Sequence, residues 1–233
     1  MKLSIIIPVF NEEKTILECL QRIKRAKLPK KWQTEIIVVD DGSKDNSKIE
    51  IQKSKLHFKS KNFKIIFYSN NRGKGYAIRL GLKQAIGDYV LIQDSDLEYD
   101  PSDYPKLLKP ISDKKAQVVY GSRFLGERKS MFFWHMLGNK ILSLLTNILY
   151  DSTLSDMEVG YKVFPRQLLN NLNLKEDRFG FEPEVTAKVL KRKIRIYEVP
   201  ISYSGREYRE GKKITWPDAV KAAFILLKCR FFA

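Results

Sequence analysis

A mixed α/β architecture, with a mostly parallel central sheet flanked by helices on both sides, is what this sequence predicts. Two observations carry the prediction. β-branched runs alternate with helix-period segments through the first half of the chain, the order that a parallel sheet with crossover helices requires. The runs are also apolar at nearly every position rather than every second one, which marks strands buried on both faces.

In chain order, LSIIIPVF is the first strand and leads to a helix around 12–26. EIIVVDD leads to one around 45–58, KIIFYS to one around 74–86, and YVLIQD to one around 102–110. Turn chemistry separates them: DDGSKDNS offers Asp45 or Asn46 as helix caps, NNRGKG opens the third helix, and Gly87 breaks helix from strand. Beyond VVYGSRF (118–124) the pattern changes. A helical segment near 130–149 is followed by GYKVF, a short helix near 165–171, a helix over FEPEVTAKVLKRK, the strand IRIYEVPISY and a final amphipathic helix from Trp216. With no repeat, low-complexity tract or linker, the chain reads as one domain over 1–233, its first half ending near 125 and its second, 126–233, closing in that helical extension.

Charge narrows the partners. The 233 residues carry 43 Lys and Arg against 27 Asp and Glu, a net charge of +16, which suits a polyanion: nucleic acid, an anionic membrane or a phosphorylated small molecule. Nucleic acid is disfavoured because the strongest aromatic run, MFFWHMLGNKILSLLTNILY, is apolar, and the strand ends are acidic. Cys19 and Cys229 belong to no CxxC or Cys/His cluster, so neither a disulfide scaffold nor a zinc site is expected, and a reduced, cytoplasmic setting fits. The N-terminal apolar run is a strand and lacks the pattern of a signal peptide. His135, Asn139 and Lys140 interrupt the aromatic segment before it reaches the ~18 apolar residues of a membrane span.

The chemistry is expected where strands end. In a doubly wound sheet, ligands bind outside the carboxyl ends of the strands. Asp40 and Asp41 close the second strand and Asp94 and Asp96 the fourth, so both acidic pairs share one edge. Asp94, Asp96 and Glu98 alternate, which would aim like charges to one side, and a hard divalent cation such as Mg²⁺ or Mn²⁺ relieves that conflict. No GxxxxGK[ST] loop is present and no GxGxxG follows the first strand, so neither a P-loop nor a dinucleotide site is expected; GKGYAI is only a partial match.

The segments IIIPVFNEE, VVDDGSKDNS, NRGKGYAIRLG, QDSDLEYDP, GSRF, DMEVGYKVF, GFEPEVTAKV and SYSGREYREGKKITW, in this order, resemble the family 2 glycosyltransferases of the GT-A fold over essentially the whole chain. Within that family they look most like the polyprenyl or dolichyl phosphate sugar synthases related to dolichol-phosphate mannosyltransferase. The resemblance implies a nucleotide-sugar-binding half (1–125) and an acceptor- and membrane-facing half (126–233). It implies transfer of a hexose, mannose ahead of glucose, from a GDP- or UDP-sugar to a polyprenyl phosphate, with metal and with inversion.

Carried over residue by residue, the resemblance puts Pro8, Phe10, Glu12, Val39, Asp40, Asp41, Ser95, Arg206 and Lys212 among the nucleotide-sugar contacts. Phe10 stands where the family often has tyrosine, and Asp40 or Asp41 would meet the base. Asp94 and Asp96 match the D-x-D that holds Mg²⁺ or Mn²⁺, with Glu98 at a further metal-proximal position. Arg123 matches a cation that meets substrate phosphate, and Arg128 and Lys140 are further candidates for the acceptor phosphate. Val159 departs from the hydroxyl residue that some relatives carry, which leaves the choice of sugar open. Glu182 and Glu184 read as helix caps. A glycan hydroxyl as acceptor would need a carboxylate base, for which Asp156 is the candidate.

Across 131–150, His135, Asn139, Ser143, Thr146 and Tyr150 form a narrow polar stripe beside a wide apolar face, the pattern of a helix lying on a membrane surface with Arg128, Lys129 and Lys140 at the headgroups. AVKAAFILLKCRFF offers a second such helix. The chain is therefore expected to be peripheral on the cytoplasmic face of a membrane.

Overall fold

The computed structural model describes residues 1–58, 62–206 and 216–232. Its strands are β1 (Lys2–Val9), β2 (Gln33–Asp41), β3 (Phe63–Tyr68), β4 (Tyr89–Ile92), β5 (Val118–Ser122), β6 (Lys162–Pro165) and β7 (Ile196–Pro200). They form one sheet in the order β3-β2-β1-β4-β6-β5-β7. β6 runs antiparallel to both its neighbours, and every other pairing is parallel. The expected mostly parallel sheet is thus present, with one reversed strand that the sequence pattern did not distinguish.

Burial explains the near-continuous apolar strands. From Leu3 to Val9 every residue of β1 is buried, because β1 lies mid-sheet with helices on both faces. α1 (Ile16–Arg25), α2 (Ser47–His57), α3 (Lys74–Gln84) and α4 (Tyr104–Ser112) supply those layers in the first half, α1 turning Ile16, Cys19, Leu20 and Ile23 inward. α5 (Phe133–Tyr150), α6 (Arg166–Asn171), α7 (Phe181–Lys191) and α8 (Trp216–Phe231) follow. Besides the main core, a second cluster of Leu142, Tyr150, Met157, Ala187, Ile225 and Leu226 ties α5, α7 and α8 together.

The polar stripe of α5 faces the protein. Ser143 and Thr146 are buried; Ser143 accepts the Met157 N–H at 3.0 Å and Tyr150 donates to the Leu226 carbonyl at 2.7 Å. Phe133, Trp134, Ile141, Leu144 and Ile148 are left exposed, as are Val220, Phe224 and Phe231 on α8. Among the described residues no helix is long and apolar enough to cross a membrane.

Register fixes where ligands can meet the sheet. Pro8 pairs with Val39 and Val9 with Asp40, and the Gln93 N–H donates to the Ile6 carbonyl at 3.0 Å as β4 ends. The chain that follows β4 therefore leaves at the same edge as the ends of β1 and β2.

Candidate active site

Strand ends bring the first group of residues together. Pro8, Val39 and Asp40 are buried side by side, and Phe10 is half-buried where β1 exits. Ser95 donates to the Pro8 carbonyl at 3.1 Å and so ties the acidic loop to β1. The two aspartates closing β2 do different work. Asp41 accepts from Tyr68 Oη, from Asn71 Nδ2 at 3.0 Å, and from the Arg72 and Gly73 amides at 2.8 and 2.7 Å, so its carboxylate is spent on shaping the loop before α3. Among the described residues Asp40 accepts the Ser43 amide alone, at 3.1 Å, and its buried Oδ2 has no hydrogen-bond partner. The oxygen left for a ligand is Asp40's.

The acidic loop is threaded by the chain's own cations. Lys74 Nζ, at the start of α3, lies 2.7 Å from Asp94 Oδ1 and 2.7 Å from Glu182 Oε1. Arg206 spans Glu12, both of whose oxygens are 3.2 Å away, and Asp96 Oδ2 at 3.1 Å. Glu98 holds the loop that carries this arginine, accepting from Tyr203 Oη at 3.0 Å and from the Arg206 amide at 2.9 Å. Burial, then the charges of Asp94 and Glu98, push the Asp96 carboxyl up to about 7.

That crowding is the observation against which a metal can be tested, and the residues fit one. A buried carboxylate raised by its neighbours is short of positive charge, and Mg²⁺ or Mn²⁺ needs only one or two protein carboxylates when phosphate and water complete its shell. Among the described residues no group of three or more acids, histidines or cysteines converges into a full cage. Asp94 and Asp96 are the pair that would hold the ion, while the Glu98 carboxylate is committed to the 203–206 loop.

On the other flank, Arg123 follows β5. Its Nε and one terminal nitrogen each lie 2.7 Å from Asp156, whose Oδ2 also accepts the Arg123 amide at 3.0 Å. Asp156 is fully buried in this clamp, which removes it as the base that a hydroxyl acceptor would need. Arg128 is exposed and donates to the Arg123 and Phe124 carbonyls at 3.2 and 3.3 Å; Lys140 Nζ sits 3.8 Å from the Phe124 ring centre. Both cations thus lie against the turn that follows β5 and carries Arg123. Lys212 lies outside the described residues.

Several participants escaped the sequence reading. Neither glutamate caps α7 as expected: Glu184 accepts the Lys175 and Glu176 amides of the preceding loop at 2.8–3.0 Å, and Glu182 turns away to Lys74. Lys162 is fully buried and donates to the Met157 carbonyl at 2.9 Å and to that of Val159, pinning the turn before β6 that carries Glu158. Burial and then Glu182 push the Glu158 carboxyl up to about 7. The available signals were the GKG triplet and a glutamate embedded between Phe181 and Pro183.

The model of glycosyl transferase family 2 matches residues 4–172. The chain belongs to that family. Among curated relatives, the glycosyltransferase is 30% identical to dolichyl-phosphate beta-glucosyltransferase of Saccharomyces cerevisiae over 95% of this chain and 72% of that one. It is 29% identical to a low-salt glycan biosynthesis hexosyltransferase of Haloferax volcanii over 93% of its own length, and spans about half (51%) of that longer relative. Glucosyl-3-phosphoglycerate synthase from Mycobacterium tuberculosis, solved with Mn²⁺, UDP and glucosyl-3-phosphoglycerate, shares the fold with a TM-score of 0.74 at 21% identity, covering 98% of this chain and 80% of that one. This family 2 glycosyltransferase collects Asp40, Asp94 and Asp96 at the carboxyl edge of the sheet.

Proposed function

We propose that the protein transfers a hexose from a nucleotide-diphospho-sugar to the phosphate of a polyprenyl or dolichyl lipid, with Mg²⁺ or Mn²⁺, while resting on the cytoplasmic face of a membrane. The observation that carries the lipid acceptor is the position of α5. Its exposed Phe133, Trp134, Ile141, Leu144 and Ile148 begin beside Arg128 and Lys140, the cations against the turn that carries Arg123. A phosphate at that turn would leave its isoprenoid tail on apolar side chains. Two curated relatives are dolichyl-phosphate beta-glucosyltransferases, which supports glucose ahead of the mannose first expected, and UDP- and GDP-sugars both belong in the test.

In the reaction, an acceptor phosphate oxygen forms a bond to the anomeric carbon while the bond from that carbon to the donor's β-phosphate breaks, the electron pair leaving with the nucleoside diphosphate. In-line attack inverts the centre. A phosphate monoester has its second pKa near ~6, so the nucleophile is already an oxyanion at neutral pH and no general base is needed. The clamp on Asp156 accords with that. Bound at Asp94 and Asp96, a divalent ion would supply Lewis-acid neutralisation of the leaving diphosphate. Arg206 and Lys212 would add charge-assisted contacts to the phosphates, Asp40 would accept from the nucleoside, and Lys74 holds Asp94 in place.

The deciding assay mixes the protein with Mg²⁺ or Mn²⁺, a panel of UDP- and GDP-hexoses and a polyprenyl phosphate. Glycosylated lipid should form and should vanish when the metal is chelated. Transfer to a free glycan, with no lipid product from any donor, overturns the proposal.

A further inference from the structure

We propose that Glu158 and Glu182 form the subsite for the hydroxyl groups of the donor sugar, and that this subsite admits neutral hexoses and rejects uronates. The inference rests on the nucleotide-sugar reading above. It starts from two buried oxygens: Glu182 Oε2 and Glu158 Oε1 have no hydrogen-bond partner among the described residues. Ionised carboxylates only accept hydrogen bonds, and leaving such an acceptor unmade in the interior is costly. The neighbouring cations are spent elsewhere. Lys74 reaches Glu182 through the other oxygen, Oε1, and Lys162 donates to the Met157 and Val159 carbonyls. Among the described residues nothing donates to either oxygen, and a bound ligand's hydroxyl groups would fill both places.

Their position says which donors. Lys74 links Glu182 directly to Asp94, with 2.7 Å on each side. Gly160, two residues after Glu158, lies so near Asp94 that a Cβ on it would come within 2.3 Å of Oδ2. Glu182 thus stands one cation from the carboxylate assigned to the diphosphate, and Glu158 lies close enough to Glu182 to feel its charge. In a nucleotide-diphospho-sugar the hexose hangs one bond from the β-phosphate, so its hydroxyl groups come next to Asp94. Hydroxyls both donate and accept, so they satisfy carboxyl oxygens whether or not a proton is held there, whereas a sugar carboxylate would add a further negative charge to a buried acidic pair. Lys74 is the positioning residue that joins the sugar wall to the phosphate wall.

Isothermal titration with Mg²⁺ present tests this, using UDP or GDP, whichever the protein holds more tightly, its neutral hexose derivative and its uronate derivative. The wild-type protein should prefer hexose to uronate by about 100-fold or more. Glu158→Gln, which keeps shape and replaces an acceptor oxygen by a donor, should weaken the hexose derivative about 10-fold while leaving the plain nucleotide within about 2-fold. Glu182→Gln should do the same or more. Equal losses for sugar and plain nucleotide, or a uronate bound as well as the hexose, overturn the subsite while the transferase reading stands. A protein that binds no nucleotide sugar and glycosylates no lipid overturns both. Should either variant fail to fold, the hexose-to-uronate ratio of the wild-type protein decides alone.

Discussion

Gly160 shows how closely single residues are fitted around the acidic loop. A Cβ at this position would lie 2.3 Å from Asp94 Oδ2 and 3.0 Å from Tyr99 Cε2. Tyr99 is fixed, since its hydroxyl accepts the Gly160 amide at 3.0 Å, so the aspartate would have to move and give up Lys74. Displacing a reacting group by about 1 Å costs on the order of 100-fold in rate. Gly160→Ala should therefore lower turnover about 100-fold and move the urea unfolding midpoint little, because only the end of a side chain shifts; steady-state kinetics beside urea unfolding checks both halves. A variant with full activity would remove Asp94 from the site. At this scale the strand-end acids were legible, because an aspartate that closes an apolar strand has few other reasons to be there. Their partners were not. Arg206 meets Glu12 across 194 residues of chain, and Glu182 reaches Asp94 only through Lys74, pairings that no local pattern encodes. Nor could the sequence separate Asp40 from Asp41, which differ only in what the loop before α3 donates.

At the scale of elements, β2 divides its labour between its two ends. Its carboxyl end serves the site, while near its amino end Glu35 binds strands and a turn together. It accepts from Ser4 Oγ and the Ile86 and Gly87 amides, with Lys64 at 3.3 Å. Burial pushes the Glu35 carboxyl up, but the bonds from Ser4 and Ile86 and the charge of Lys64 outweigh it and hold the group below its ordinary 4.5. A depressed folded pKa means stability that is fully present above the unfolded value and is lost as pH falls through the folded one. Glu35→Gln should thus cost about 1–3 kcal/mol at pH 7, and the gap to the wild-type protein should shrink as pH falls below the ordinary 4.5 and through the lowered folded value, where the wild-type carboxylate also protonates. Urea unfolding at pH 7 and pH 3.5 measures it, and a gap independent of pH contradicts the role. Most elements were legible because two-sided burial leaves apolar strands and helix-period neighbours. The reversal of β6 was not, since a four-residue strand reads alike in either direction. α5 showed its stripe correctly, but periodicity cannot say which face looks inward: Ser143, Thr146 and Tyr150 do, because their hydroxyls find partners on the segment before β6, on α5 itself and on α8.

For the whole molecule, charge and apolar exposure act together. On the proposed membrane-bound reading, an excess of 16 positive charges would favour anionic lipid, each basic residue near such a surface contributing about 1 kcal/mol within a Debye length. That attraction alone is reversible and screened by salt. Trp134, Ile148, Phe224 and Phe231 are more than half exposed on α5 and α8, which pack on each other through Tyr150 and Leu226. Burying one such side chain in a bilayer surface is worth roughly 1.5–3 kcal/mol, or about 10- to 100-fold in partitioning. The two contributions separate experimentally. The protein should sediment with vesicles rich in phosphatidylglycerol, and more weakly with neutral ones. Salt at 1 M, where the Debye length falls to about 3 Å, should remove the difference between the two lipids while leaving the apolar share. Trp134→Ser with Phe224→Ser should lower partitioning into both kinds of vesicle about 100-fold, yet spare transfer to a short, water-soluble prenyl phosphate, since neither side chain touches the acidic loop. Loss of transfer to the soluble acceptor would put these helices in the site itself; unchanged sedimentation would mean that the apolar face of α5 and α8 meets something other than lipid.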